Sequence, residues 1–375
     1  MPVSDQALVN ADLLSWARER AGLSIHALAE KMKAGAEKLE KWESGEERPS
    51  FVQAQKLAKI MCIPFGYLFL EKRPEEDFPL PDLRTVGGAR VRAPSAELRD
   101  VVRDVLLKQE WYFEYLKEQG DVQKLAFVGK FTTSATVQAV VADMKRTLKT
   151  PDKSGDLFSA LVATAEEAGI LVMRSGIVGT NTHRPLQVDD FRGFALADVY
   201  APVVFINSAD APSARLFTLV HELAHLWIGS SGVSEVGAEM HRREEIFCNK
   251  VAAEFLVPEA EFLQAWNHQT EWRFNLRLSD RFKVSAIVIA RRAFSLDLID
   301  QLQFSLFYVG EIGKTKAKNA GGGNFYLNAA VRNSKLLSRA VVHEALSGRM
   351  LLRDAGRLLG VPPNKISDYE QRVLK

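Results

Sequence analysis

The chain of 375 residues is poor in cysteine, nearly balanced in charge and free of long apolar runs. Its only two cysteines, Cys62 and Cys248, lie far apart in no CxxC spacing, so no thiol framework is expected and a reducing compartment suits the sequence. A formal net charge of +2 excludes a generally basic protein that coats nucleic acid, though not a local basic face. No uninterrupted apolar stretch approaches the ~18 residues needed to span a bilayer, so no membrane partner is expected. The opening MPVSDQALVN lacks a basic segment followed by an apolar one, which leads to the expectation of a cytoplasmic protein. The triple glycine at 321–323 is not followed by Lys-Ser/Thr, which argues against a phosphate-binding loop and for a hinge or gating loop.

What is present is an ordinary globular composition, 47% apolar and 26% charged, on a chain long enough for two or three domains. Up to about residue 73, apolar residues recur at three and four spacing between glycines and Pro49, predicting a compact all-helical unit over 1–73. Prolines, acids and a glycine pair then mark a connector over 74–95. Ser95 is placed to cap a long helix, and LFSALVATAEEAGILVM reads as a helix stopped at Gly169 before a strand at 170–173. FRGFALA and PVVFIN have strand composition. The fold expected is multidomain and mainly α, with a small α+β core within 96–270 and a helical region over 271–375.

One stretch poses a chemical problem. VHELAHLWIG places two histidines and an acid in the most apolar helix of the chain, and burying such groups is costly unless each finds a partner. The helix should start near Pro212, capped by Asp210 or Ser213, and end at Gly229. His221 and His225 are four apart and share one face, so both rings can meet a single ion. Glu222, one step round, can act as general base on water without ligating the ion. This is the HExxH arrangement, and borderline-soft Zn2+ suits imidazole. A catalytic zinc needs a third protein ligand. HRREEIFCNKVAAEFLVP reads as a helix ended by Pro258, with Glu244 and Glu245 both near its apolar face, and periodicity does not choose between them. His241, Arg242 and Arg243 are candidate oxyanion partners, and DDFRGFALAD is a candidate strand for pairing with an extended substrate.

FRGFALAD, APVVFINS, FTLVHELAHLWIG and EIFCNKVAAEFLVP together resemble the ImmA/IrrE family of metallopeptidases, whose second motif runs E-x-x-A-N-x-x-A-A-x-x-L-x-P. Here Cys248 stands for the small alanine, and Asn249, Ala252, Ala253 and Pro258 match. The resemblance implies a gluzincin-like core with His221, His225 and Glu245 as metal ligands, Glu222 as catalytic base and zinc as cofactor. It further implies a protein substrate of the Xre-type repressor class, coupling stress, DNA-damage or mobile-element signals to gene expression.

LLSWARERAGLSIHALAEKMKAGAEKLEKWESGEERPSFVQAQKLAKIMCIPFGYLF resembles the Xre/Cro helix-turn-helix family, with Trp42, Glu43, Gly45 and Pro49 in matching places. The resemblance implies a second helix at about Ser24 to Met32 and a recognition helix at about Ala36 to Trp42. Lys33, Ala36, Glu37, Lys38 and Lys41 are then candidate contacts to double-stranded DNA. Two departures stand out: Lys33 occupies the usual turn glycine, and Glu37 and Glu40 would face phosphate unless they read cytosine. Protein docking or homodimer formation is the alternative use of that unit. LSDRFKVSAIVIARRAF and AGRLLGVPPNKISDY carry similar spacing, the first with Arg281, Lys283, Arg291 and Arg292 as further basic candidates. Two functions are thus carried forward: a zinc endopeptidase, with single-stranded DNA as a candidate activator, and a DNA-binding, antitoxin-like regulator whose zinc is structural or vestigial.

Overall fold

The computed structural model describes residues 6–74, 94–149, 156–234, 243–316 and 325–374. These form two compact units, 6–74 with 94–100, and 101–374. The chain is mainly helical with a small sheet. Nearly all of the expected connector 74–95, and the whole glycine segment 319–324, lie outside the described residues.

The first unit is all-helical: α1 (Ala11–Arg20), α2 (Ile25–Met32), α3 (Ala36–Ser44) and α4 (Phe51–Ile60), followed by a 3-10 turn at Phe65–Phe69. Asn10, Ser24 and Ser50 cap α1, α2 and α4 by accepting from backbone N–H groups of the first turn, and Gln53 returns the bond to Ser50. Leu14, Leu28, Leu39, Trp42 and Leu57 close the core. Arg18 forks onto Glu43 at 2.7 and 2.9 Å, tying α1 to α3. Between α2 and α3 the chain turns through Lys33 at φ 56°, with Gly35 as the next helix's N-cap. The lysine itself adopts the left-handed conformation where glycine is usual, at a cost of about 1 kcal/mol.

The second unit takes in residues 101–119 of α5 (Ala96–Gln119), then α6 (Val137–Thr147) and α7 (Leu157–Glu167). Its strands are β1 (Leu171–Ser175), β2 (Ile177–Val178), β3 (Asn181–Pro185), β4 (Gly193–Leu196), β5 (Val203–Asn207) and, after α8 (Pro212–Ile228), β6 (Gly232–Ser234). The main sheet has the order β1-β5-β4-β6, with β1 parallel to β5 and the other pairs antiparallel. Strands β4 and β5 are buried along their whole length, which matches their unbroken apolar runs. There follow α9 (Arg243–Leu256), α10 (Glu259–Ala265), α11 (Leu278–Phe282), α12 (Ala286–Ser295), α13 (Gln301–Lys316), α14 (Phe325–Asn333), α15 (Lys335–Leu346), α16 (Leu352–Leu359) and α17 (Ile366–Tyr369).

Helix α8 lies against β4 and β5, with α9 beside it and α12 touching both helices. Leu219, Val220, Leu223, Ala224, Leu226 and Trp227 are all fully buried, each of the larger ones contributing roughly 1.5–3 kcal/mol of transfer free energy. The same core takes in Leu278, Phe282, Val288, Ile289 and Ile299, so it continues past residue 270. Ala211 is the N-cap of α8, while the expected cap Asp210 is drawn to Arg192 at 3.3 Å, and the side chain of the other candidate, Ser213, lies outside the described residues. At the other end, the backbone N–H groups of Gly129 and Phe131 donate to the carbonyls of Leu226 and Trp227, which satisfies part of the helix's last turn.

Gly229 ends α8 at φ 69°, and a Cβ there would stand 2.9 Å from the Gly129 Cα. Both the left-handed backbone and the close approach require glycine. Gly229→Ala should destabilise the second unit by about 2 kcal/mol, combining left-handed strain with displacement of the 129–131 segment. Urea denaturation measures this, and an unchanged midpoint would contradict it.

Candidate metal centre

The two α8 histidines and one α9 carboxylate meet inside the second unit. His221 Nε2 and His225 Nε2 lie 3.1 Å apart. Glu245 Oε2 is 3.2 Å from the first, and its Oε1 is 3.2 Å from the second. Both imidazoles are buried, and the carboxylate keeps 20% exposure, so the cluster is reached from one side. Each Nδ1 is buried without a hydrogen-bond partner among the described residues, which leaves Nε2, turned toward Glu245, as the nitrogen each ring offers. Burial favours the neutral form of His221. At His225 burial acts the same way but is outweighed by the Cys248 thiol and the Glu245 carboxylate, so its pKa rises. Burial would push Glu245 up, yet the two histidines draw it well below the ordinary carboxylate range.

Helix periodicity explains the convergence. On α9 the buried face runs Phe247, Cys248, Val251, Ala252, Phe255 and Leu256, and Glu245 stands at its N-terminal edge facing α8. Glu244 is instead exposed and accepts a hydrogen bond from Ser230 Oγ at 2.9 Å. Of the two acids, only Glu245 lies beside the histidines. Asn249 donates to the Glu245 carbonyl at 2.8 Å and steadies that turn. The Cys248 thiol lies beside His225, and burial pushes its pKa up. His221, His225 and Glu245 are the one group of His, Cys, Asp and Glu side chains among the described residues spaced to hold a metal ion. Two imidazoles and a carboxylate whose lone pairs face one another are a donor set that fits zinc.

Glu222 is fully buried beside this cluster. Strand β4 passes so close that a Cβ at Gly193 would be 2.9 Å from Glu222 Oε1 and from the Phe205 carbonyl. The glycine of FRGFALAD therefore serves close packing against the acid. In the candidate strand for substrate pairing, residues 193–195 have no free edge, because β5 pairs with one side and β6 with the other. Of the expected oxyanion candidates, His241 and Arg242 lie outside the described residues, and Arg243 is exposed on the first turn of α9.

The candidate nucleic-acid residues fall in the first unit. Ala36 is half-buried at the start of α3, and Lys33, Glu37, Lys38 and Lys41 are exposed around it, as is Glu40. Lys38 stands 5.5 Å over the Trp42 ring and Lys41 is 3.2 Å from Glu47, so both cations already have company. In the second unit, Lys283 repeats the left-handed turn at φ 56°, but its basic neighbours share no face. Arg281 and Lys283 are exposed, whereas Arg292 is buried against Glu254 and Glu259 and Arg291 packs on Phe217. The expected basic face of 278–294 is thus broken up, with Arg292 in an ion pair and Arg291 against a ring and an amide. Arg291 was legible only as one surface charge among four, because nothing local marks an arginine that turns inward.

Residues 165–294, about a third of the chain, match the model of a peptidase family described as the IrrE N-terminal-like domain. The match spans β1 through α12 and includes every member of the cluster. It supports the ImmA/IrrE resemblance and a peptidase of the regulatory metallopeptidase type. Residues 333–372 match a domain of unknown function (DUF8813). No curated protein matches the chain. No helix among the described residues is long and apolar enough to cross a membrane.

The geometry separates the two neighbouring acids experimentally. Glu245→Ala should abolish stoichiometric zinc uptake and Glu244→Ala should leave it at one ion per chain, as read by elemental analysis after reconstitution. Equal loss in both variants would contradict the assignment of Glu245.

Proposed function

We propose that the chain is a zinc-dependent endopeptidase that cuts a regulatory protein, an Xre-type transcriptional repressor being the substrate class, and so alters gene expression. The observation that carries this reading is the approach of His221, His225 and Glu245 to one another with Glu222 on the adjacent helical position, inside the region that matches a peptidase domain. In this reading those three side chains hold the metal. When bound, zinc polarises the scissile carbonyl and lowers the pKa of water toward about 7.

The chain's own groups then supply the proton traffic. Glu222 takes a proton from the attacking water as the new C–O bond forms, and returns it to the amide nitrogen as the C–N bond breaks. Its burial beneath β4 shields that proton from bulk solvent, and Gly193 leaves the room the carboxylate needs. Asn249, bonded to the Glu245 carbonyl, holds the third ligand's turn in place.

We assign the first unit to target or DNA engagement. Its α2–α3 pair, with Lys33, Glu37, Lys38 and Lys41 exposed, supports a helix-turn-helix use that brings the enzyme to double-stranded DNA or to a repressor of like fold. Single-stranded DNA is the activator proposed, a homodimer the assembly, and the cytoplasm the compartment. The second reading, a DNA-binding regulator with a structural zinc, is favoured by one observation, the Cys248 thiol beside His225, since a closed site needs four protein ligands.

Two variants decide between these readings. Glu222→Gln should retain one zinc per chain and lose at least about 1,000-fold in cleavage, the upper range of a general base combined with a lost charge. The assay incubates purified protein, with and without zinc and DNA, with repressors encoded beside it, and maps new termini by mass spectrometry. Cys248→Ala should keep both zinc and cleavage. Full cleavage by the Glu222 variant, or loss of zinc from the Cys248 variant, would contradict the endopeptidase reading.

A further inference from the structure

Two arginines on the same turn of α12 are treated differently by the fold. Arg292 is buried and compensated: it pairs with Glu254, and Glu259 stands 3.7 Å away. Arg291 turns toward the metal-competent cluster and has no carboxylate partner among the described residues. Its Nη2 donates to Asn249 Oδ1 at 2.9 Å, a neutral acceptor, and its guanidinium lies 4.4 Å over the Phe217 ring. Phe217 is one helical turn before His221, with ring centroids 6.4 Å apart. The Arg291 charge is close enough to act on His221.

A second cation adds to the excess. Arg192, immediately before Gly193, lies near Arg291 and is held by the Tyr308 hydroxyl and by Asp210 at 3.3 Å. The Asp210 carboxylate is thus engaged by Arg192, and Arg291 is left with the neutral Asn249 amide as its acceptor. Zinc would cancel the charges of Glu222 and Glu245, so those acids do not supply the missing anion. Burial lowers the Arg291 pKa to about 10, which still leaves it charged at neutral pH. A partly buried guanidinium with no carboxylate partner among the described residues is costly, and the cost is relieved when an anion enters. Arg291 is only half-buried, so the approach from solvent is open.

Resting on the metallopeptidase reading above, we infer that Arg291, backed by Arg192 and Tyr308, forms a subsite that binds a carboxylate of the substrate next to the bond that is cut. The fork of the guanidinium suits a carboxylate, and Asn249 and Phe217 fix its plane from opposite kinds of contact. The carboxylate can be an acidic side chain or a free C-terminus, and these share one chemistry.

The test is calorimetric and does not need turnover. Three peptide hydroxamates of one backbone are titrated into the full chain, zinc-loaded and zinc-free. One is neutral, with a glutamine side chain and an amidated end; one carries glutamate in place of that glutamine; one has a free C-terminal carboxylate. The zinc-loaded protein should bind one of the two acidic probes about tenfold tighter than the neutral probe, the size expected for a charge-assisted pair. Which acidic probe wins identifies the source of the carboxylate. Arg291→Gln should bind all three alike while holding one zinc, and Arg291→Lys should keep part of the preference. Equal binding of the three probes to the unaltered chain, or an undiminished preference in Arg291→Gln, would overturn the subsite. If the glutamine variant does not fold, equal binding of all probes by Arg291→Lys overturns it. A neutral probe that binds no better with zinc than without would instead defeat the metal reading, and the subsite with it.

Discussion

Two imidazole nitrogens and one carboxylate, 3.1 to 3.2 Å from one another, present lone pairs to a single point inside the second unit. Such a set is tolerable only if a cation or shared protons sit among them. Much of the surrounding structure can be read as the means of holding that confrontation in place. Every residue of α8 from Leu216 to Trp227 is buried, so His221 and His225 cannot swing out to water. Helix α9 lies along it, and the inward face that carries Cys248, Val251 and Phe255 fixes where Glu245 points. The 129–131 segment closes the end of α8 through two backbone bonds, and the paired glycines there set how closely it can approach.

Much of this was legible in the residues, for identifiable reasons. An HExxH spacing is a local property, because four residues on a helix define one face whatever packs against it. The α8 end at Gly229 and the α9 stop before Pro258 follow from glycine and proline chemistry that acts within a turn. The choice between Glu244 and Glu245 was not local, since both sit at the edge of the apolar face; only packing against α8 sets one of them, Glu245, beside the histidines. Strand β6 is three residues long and carries no alternation to read, so the occupied edge of β4 could not be foreseen. The parallel pairing of β1 with β5 is likewise a long-range fact. Arginines 291 and 292 looked alike as sequence and differ completely in surroundings, one against two glutamates and one against a ring and an amide.

The first unit illustrates how a local rule can be broken without losing the fold. Lys33 takes a left-handed backbone that glycine would adopt freely, while the caps at Ser24 and Ser50, the core around Trp42 and the Arg18–Glu43 pair hold the helices on either side. Lys283 makes the same turn in the second unit, before a helix whose N-cap is Ser285. A shared turn geometry does not carry a shared use. Around Lys33 the neighbouring charges stay on the surface, whereas beyond Lys283 they are spent on glutamates and on the margin of the metal cluster.

The most direct test of the central claim is X-ray absorption at the zinc edge of the reconstituted full chain. Two imidazoles, a carboxylate and one further light-atom oxygen, with no sulfur, are the surroundings expected of a site built from His221, His225 and Glu245 with one corner left to water. A sulfur scatterer at about 2.3 Å would place Cys248 on the ion, close the fourth corner and contradict the account.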